Sequence, residues 1–145
     1  MSLQDWQKNN WLTPHPSSRR EIADLFAVAD RDPAACQATG LGVDWSFNIA
    51  YNSALQSANA ALAAAGYRAS RDQHHYRVIQ SLALTLGIDA KVIAQFDAFR
   101  KKRNLTGYEQ VGAVSDQEAK EMVELARMLR KQVEAWIGKT QPKLL

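Results

Sequence analysis

Cysteine is nearly absent from this chain: Cys36 is the sole example in 145 residues. An internal disulfide is therefore excluded, and a lone thiol fits a reducing compartment. Glycine-rich loops between strand and helix are missing too, which removes a dinucleotide-binding fold. Histidine is scarce, and the neighbours His74 and His75 project about 100° apart on a helix. They form no joint metal clamp and further ligands at zinc spacing are missing, so neither metal nor cofactor is expected. No serine or cysteine stands in a motif with a base and an orienting partner. Charge of one sign is not in large excess. A net charge of +3 leaves nucleic-acid binding to local clustering of the basic residues. No positively charged leader precedes an apolar run, which with the lone cysteine predicts a cytoplasmic protein. The longest uncharged stretch, from Trp45 to Tyr67, carries Asn48, Asn52, Gln56 and Asn59. Their amides are costly in lipid, so no membrane span is expected.

What is present is helical periodicity. The length suits one domain, and a hydrophobic share of 46% against 23% charged argues against wholesale disorder. Residues 1–16 read as an N-terminal extension. In it Trp6, Trp11 and Leu12 form a short amphipathic turn whose two tryptophans cover a core edge, and Thr13-Pro14-His15-Pro16 forces an extended link. Ser18 to Glu21 has the form of a capping box and opens a first long helix through Ile22, Leu25, Phe26 and Ala29. Asp32-Pro33 is expected to kink or interrupt it, with resumption over 34–38 and an end at Gly40-Leu41-Gly42. Asp44 is expected to cap a second helix that stops at Gly66. Its apolar face is alanine-rich, and beside that face Asn48, Asn52, Gln56 and Asn59 form a polar but uncharged stripe. A freely solvated face usually carries Lys and Glu, so the stripe reads as half-buried, lining a groove or a subunit contact; a merely charge-poor surface is the competing reading.

A second capping box, Ser70 to Gln73, is expected to open a third helix to about Leu86, and Asp89 to cap a fourth. Ser115 to Glu118 is the clearest box, opening a fifth helix closed by Gly138 and Pro142. No strand alternation of useful length and no repeat is visible. The expected fold is all-α: an antiparallel up-down four-helix bundle over 17–140, with a tail at 141–145.

The stretch from Phe99 to Gln110 departs from an ordinary helix. At 100° per residue Val92, Phe96, Phe99 and Arg103 share a stripe, while Lys101 and Lys102 point away. Arg103 is thus expected along a buried face, in need of a carboxylate, a carbonyl or an anion. Gly107 can stop the helix and turn Tyr108 towards the same groove. Arg100, Lys101, Lys102 and Arg103, followed by Asn104 and Tyr108, suit a phosphodiester, whose charge arginine holds with two parallel bonds. Asn52 on the uncharged stripe joins the candidate ligand-binding residues. The competing reading is a structural ion pair at Arg103. His75, on a stripe with Ile79, Leu82 and Leu86, reads as a hydrogen-bonded core histidine.

These residues resemble the HEPN domain, a small all-α nucleotide-binding family. The resemblance spans about Ser18 to Ile137. It lies in the helix order, in Tyr51-Asn52-Ser53-Ala54, in the histidine near the start of the third helix and above all in Arg103-Asn104. The family pattern is an arginine, usually followed by a polar residue, four to six residues before a histidine. Arg103 matches the arginine, Asn104 the polar residue, and Tyr108 stands where the histidine belongs. The resemblance implies a homodimer whose facing motifs form one cleft. It also implies binding of RNA or a nucleotide, metal-independent endoribonuclease chemistry and a minimal nucleotidyltransferase as antitoxin partner. Tyrosine, with an ordinary pKa of ~10, is a poor base near neutrality, so turnover is expected to be weak. A non-catalytic protein-interaction or assembly module with a structural Arg103 is the alternative.

Overall fold

Alanine and serine make the stretch from Ala50 to Ala64 narrow enough to be buried on nearly every side, and neighbouring helices pack around it. The computed structural model describes residues 1–36, 42–105 and 114–145. Among these, six α-helices and one small sheet follow the order α1 (Leu3–Lys8), β1 (Leu12–Pro14), α2 (Arg19–Cys36), α3 (Val43–Ala64), β2 (Tyr67–Ala69), α4 (His74–Thr85), α5 (Ala90–Leu105) and α6 (Asp116–Thr140). A 3-10 turn at Pro142–Leu144 folds back on α6 and α2. The protein is mostly helical, as its periodicity predicts.

Helix α3 is the hub, in contact with α2, α4, α5 and α6. Its fully buried Phe47 meets Phe99 of α5 edge-on at 5.5 Å, and its Tyr51 meets Phe96 edge-on at 5.8 Å. Each such aromatic, moved out of water, contributes about 1.5–3 kcal/mol, with a smaller increment from the edge-to-face geometry. The α6 face formed by Met122, Ala126, Leu129, Val133 and Ile137 closes the core from the other side. Ser115 opens α6 with both halves of its capping box in place. In α5, the Asp89 carboxylate accepts the Lys91 amide at 2.7 Å.

Several local expectations need correction. Leu12–Pro14 and Tyr67–Ala69 pair as antiparallel strands, although no strand pattern is visible; three residues are too few to show alternation. Ser70 does not cap α4. Its hydroxyl donates to the carbonyls of Asn10 and Trp11, both at 2.9 Å, and so ties β2 to the N-terminal segment. Gln73, left-handed at φ 53°, is the residue at the helix start instead. Gly42 rather than Asp44 precedes α3, and Asp44 lies in the first turn, where its charge favours the helix dipole. The interruption expected at Asp32-Pro33 does not occur, since α2 continues to Cys36. Proline lacks the N–H that would bond the carbonyl four residues back, Ala29. The buried Ser53 hydroxyl of α3 donates to that carbonyl at 2.7 Å, so it is not orphaned. Helix α6 also runs past Gly138 to Thr140.

The extension is not an appendage. Trp6 and Leu12 are buried in the core, and Arg77 of α4 stacks its guanidinium over Trp11 at 3.8 Å. Among the described residues no helix is long and apolar enough to cross a membrane.

Candidate functional site

The core face of α5 is set by Ile93, Phe96 and Phe99. Arg103 comes one turn later, near the helix end and past the packed region, and it is exposed. The expectation of an arginine along a buried stripe is corrected on this point: the stripe leaves the core before Arg103. Its guanidinium lies over the Tyr51 ring, 5.3 Å from the centroid, where the aromatic face attracts a cation.

Arg103 and Asn104 border an open groove of about 570 Å³ together with Arg100. The opposite wall is the turn before α4, with Arg71 and Gln73, and the first residues of that helix, His74, His75 and Tyr76. Three arginines therefore surround one cavity, next to a helix N-terminus whose partial positive charge has the same sign. Arg100 is held by Asp97, Nε to Oδ1 at 2.8 Å, and lies 5.5 Å over the Tyr76 ring. A cluster of guanidinium groups on one cavity favours an anion there.

Beneath the groove, Tyr51 and His75 are joined through the tyrosine hydroxyl and Nδ1 at 3.2 Å. Burial pushes the Tyr51 hydroxyl up to about 12, against the lowering effect of Arg103 and Arg100. Tyr51 thus stays neutral and keeps a proton to donate. Burial first, then the charge of Arg103 with smaller influences from His74 and Arg100, hold His75 below the ordinary histidine range. Near neutral pH His75 is therefore an uncharged imidazole in the groove wall, with one nitrogen on Tyr51. Such a group can accept or pass on a proton. The sequence reading places His75 as a hydrogen-bonded core histidine; it is hydrogen-bonded and half-buried, and it also lines the groove.

A pH dependence follows. Because the folded chain disfavours protonated His75, the unfolded chain takes up that proton first as pH falls below ~6.5. The stability associated with neutral His75 is present above that value and is lost as pH falls from there towards the lowered folded value. In melts between pH 5 and 8, His75→Gln should flatten this loss of melting temperature; parallel curves for wild type and variant would refute it.

The remaining candidates lie elsewhere. Lys101 reaches Asp97 at 3.7 Å, and Lys102 reaches Glu118 of α6 at 3.0 Å; neither lines the groove. Asn52 is half-buried, as expected of the uncharged stripe, and accepts a hydrogen bond from Gln56 at 3.3 Å, while Asn59 donates to Gln56 at 3.3 Å. Tyr108 and Gly107 lie outside the described residues. Sequence reasoning missed Arg71, Gln73, His74 and Tyr76 as partners of Arg103. The one available signal is the density of Arg71, His74 and His75 just ahead of α4. Among the described residues no group of three His, Cys, Asp or Glu side chains could hold a metal ion.

No known protein family, curated protein or solved structure matches this chain.

Proposed function

We propose that this chain is a HEPN-like domain that binds RNA or a nucleotide in the groove between α4 and the end of α5. The observation that carries this reading is the convergence of Arg71, Arg100 and Arg103 on one open cavity beside a helix N-terminus. Arg103 presents the bidentate fork, Asn104 adds hydrogen bonds, and His75 adds a neutral imidazole. On this reading α2, α3, α5 and α6 are the four long helices of an antiparallel up-down bundle. Its resemblance to the family extends to a cytoplasmic, toxin-like protein paired with a minimal nucleotidyltransferase. Incubation of the pure protein with total RNA, with and without Arg103→Ala, tests binding and cleavage together. Binding lost in the variant supports the reading, and equal binding by both overturns it.

The same reading includes a homodimer. The half-buried uncharged stripe on α3 supports it, since a face that meets a second copy has no need of lysine and glutamate. Light scattering at micromolar concentrations should give twice the 16.2 kDa chain mass; a monomeric mass throughout that range removes this part of the proposal.

A second reading, a non-catalytic interaction or assembly module, draws on Trp45. This side chain is 66% exposed at the start of α3, and solvent-facing tryptophan often marks a contact surface. Unaltered RNA affinity in Arg103→Ala together with loss of self-association in Trp45→Ala would favour it.

A further inference from the structure

A second cleft, of about 320 Å³, opens beside β2, and its wall shares His74 with the basic groove. The two cavities therefore adjoin across one imidazole. Their linings differ in kind. In the smaller cleft, Leu25, Leu62 and Ala63 supply an apolar floor, Tyr67 an aromatic ring, and His15 and Glu21, paired at 2.8 Å, a polar side. Asn59 supplies a carboxamide whose Nδ2 is engaged with Gln56, while its carbonyl oxygen accepts no hydrogen bond among the described residues. An apolar floor, an aromatic ring and one amide acceptor suit a flat heterocycle with an exocyclic amino group.

Charge links the two spaces. Arg68, at the centre of β2, lines the small cleft, and Arg71, three residues on, lines the groove. Both are exposed, and neither guanidinium is in an ion pair among the described residues. A mononucleotide brings a single phosphate, which can meet the arginines of one space and not those of both.

Resting on the groove reading above, we propose that the ligand is a single-stranded oligonucleotide crossing His74. The groove would take a phosphodiester and the cleft beside β2 an adjacent base. Stacking on an aromatic side chain and tracking of the backbone by arginines are how such strands are held. The cleft then determines whether a strand is preferred over a mononucleotide, and Arg103 determines whether anything anionic binds.

The test is a set of titrations of the full chain with adenosine monophosphate and with a single-stranded RNA hexamer. Wild type should bind the hexamer at least about tenfold more tightly, the order expected for one stacked base and one added phosphate contact. Arg68→Ala should remove most of that advantage and leave monophosphate affinity unchanged, Tyr67→Ala should weaken the hexamer through the lost stacking, and Arg103→Ala should weaken both ligands. Arg68 is exposed, so its variant should melt with wild type and keeps the test independent of folding. Hexamer affinity unaffected by Arg68→Ala and Tyr67→Ala overturns the inference, even if the hexamer binds tightly by bridging two subunits. Equal affinity for the two ligands in wild type overturns it as well. In either case the groove reading survives if Arg103→Ala still weakens binding. If neither ligand binds wild type, both readings fall together.

Discussion

Arg103→Ala is expected to lower RNA or nucleotide affinity by about ten- to hundredfold while leaving the melting temperature nearly unchanged. The affinity term comes from hydrogen bonds between charged partners, worth about 1.5–3 kcal/mol each set. The stability term is small because Arg103 is exposed, and its contact over the Tyr51 ring is of a kind worth about 0.5–1 kcal/mol at an exposed site. A broken buried ion pair would instead cost about 3–5 kcal/mol, and the exposure of Arg103 argues against that. Arg103→Lys should not restore affinity, since an ammonium lacks the bidentate fork. Binding should also weaken as salt rises, because phosphate contacts release counterions. Paired titrations and melts of wild type and both variants separate the cases. Unchanged affinity with a large fall in melting temperature would sink the functional reading.

Tyr108→His is expected to create or raise cleavage of single-stranded RNA, without added metal, by as much as 10²–10⁴-fold, the usual contribution of a well-matched acid or base. Cleavage by attack of a 2′-hydroxyl on the adjacent phosphorus needs that hydroxyl's proton removed and the leaving oxygen protonated. Tyrosine near its ordinary pKa of ~10 does neither well at neutral pH, so wild type should turn over slowly although it binds. Tyr108→Phe keeps the ring and deletes the hydroxyl. Brisk cleavage by wild type that disappears in Tyr108→Phe would make Tyr108 itself catalytic and overturn the expectation of a slow enzyme. Cleavage that survives Tyr108→Phe and disappears in His75→Gln would move the proton-transfer role to His75, which the fold places in the groove with Arg103. If neither wild type nor Tyr108→His cleaves any RNA tested, the assembly reading is the better account.

The helices were legible in the sequence because their causes are local. Apolar spacing of 3.6 residues marks α6 from Ala119 to Ile137, and the Ser115 box marks its start. Gly66 and Gly87, at φ 93° and 69°, sit at stops that only their conformational freedom makes cheap. The half-burial of Asn52, Gln56 and Asn59 was legible too, from the absence of charge. The misreadings share a cause. Ser70 looks like a helix cap, yet its hydroxyl is spent on Asn10 and Trp11, about sixty residues earlier in the chain. Pro33 looks like a break, yet a serine from another helix satisfies the carbonyl it leaves open. A local pattern states what a residue can do, and a distant partner decides which option it takes.

The candidate site divides in the same way. Composition and periodicity determined by themselves a mostly helical chain, and the basic run ending in Arg103 was visible as a place where an anion could be held. That Lys101 and Lys102 point away was legible too; only the tertiary structure decided that Lys102 reaches Glu118 of α6, and that Arg71 and His75 join Arg103 from the turn before α4 and from its first residues. Helix periodicity gives the direction of a side chain about its own axis, but not which other axis lies beside it. That choice is made when α3 buries Phe47 and Tyr51 against Phe99 and Phe96, and the groove is where the packed aromatics end.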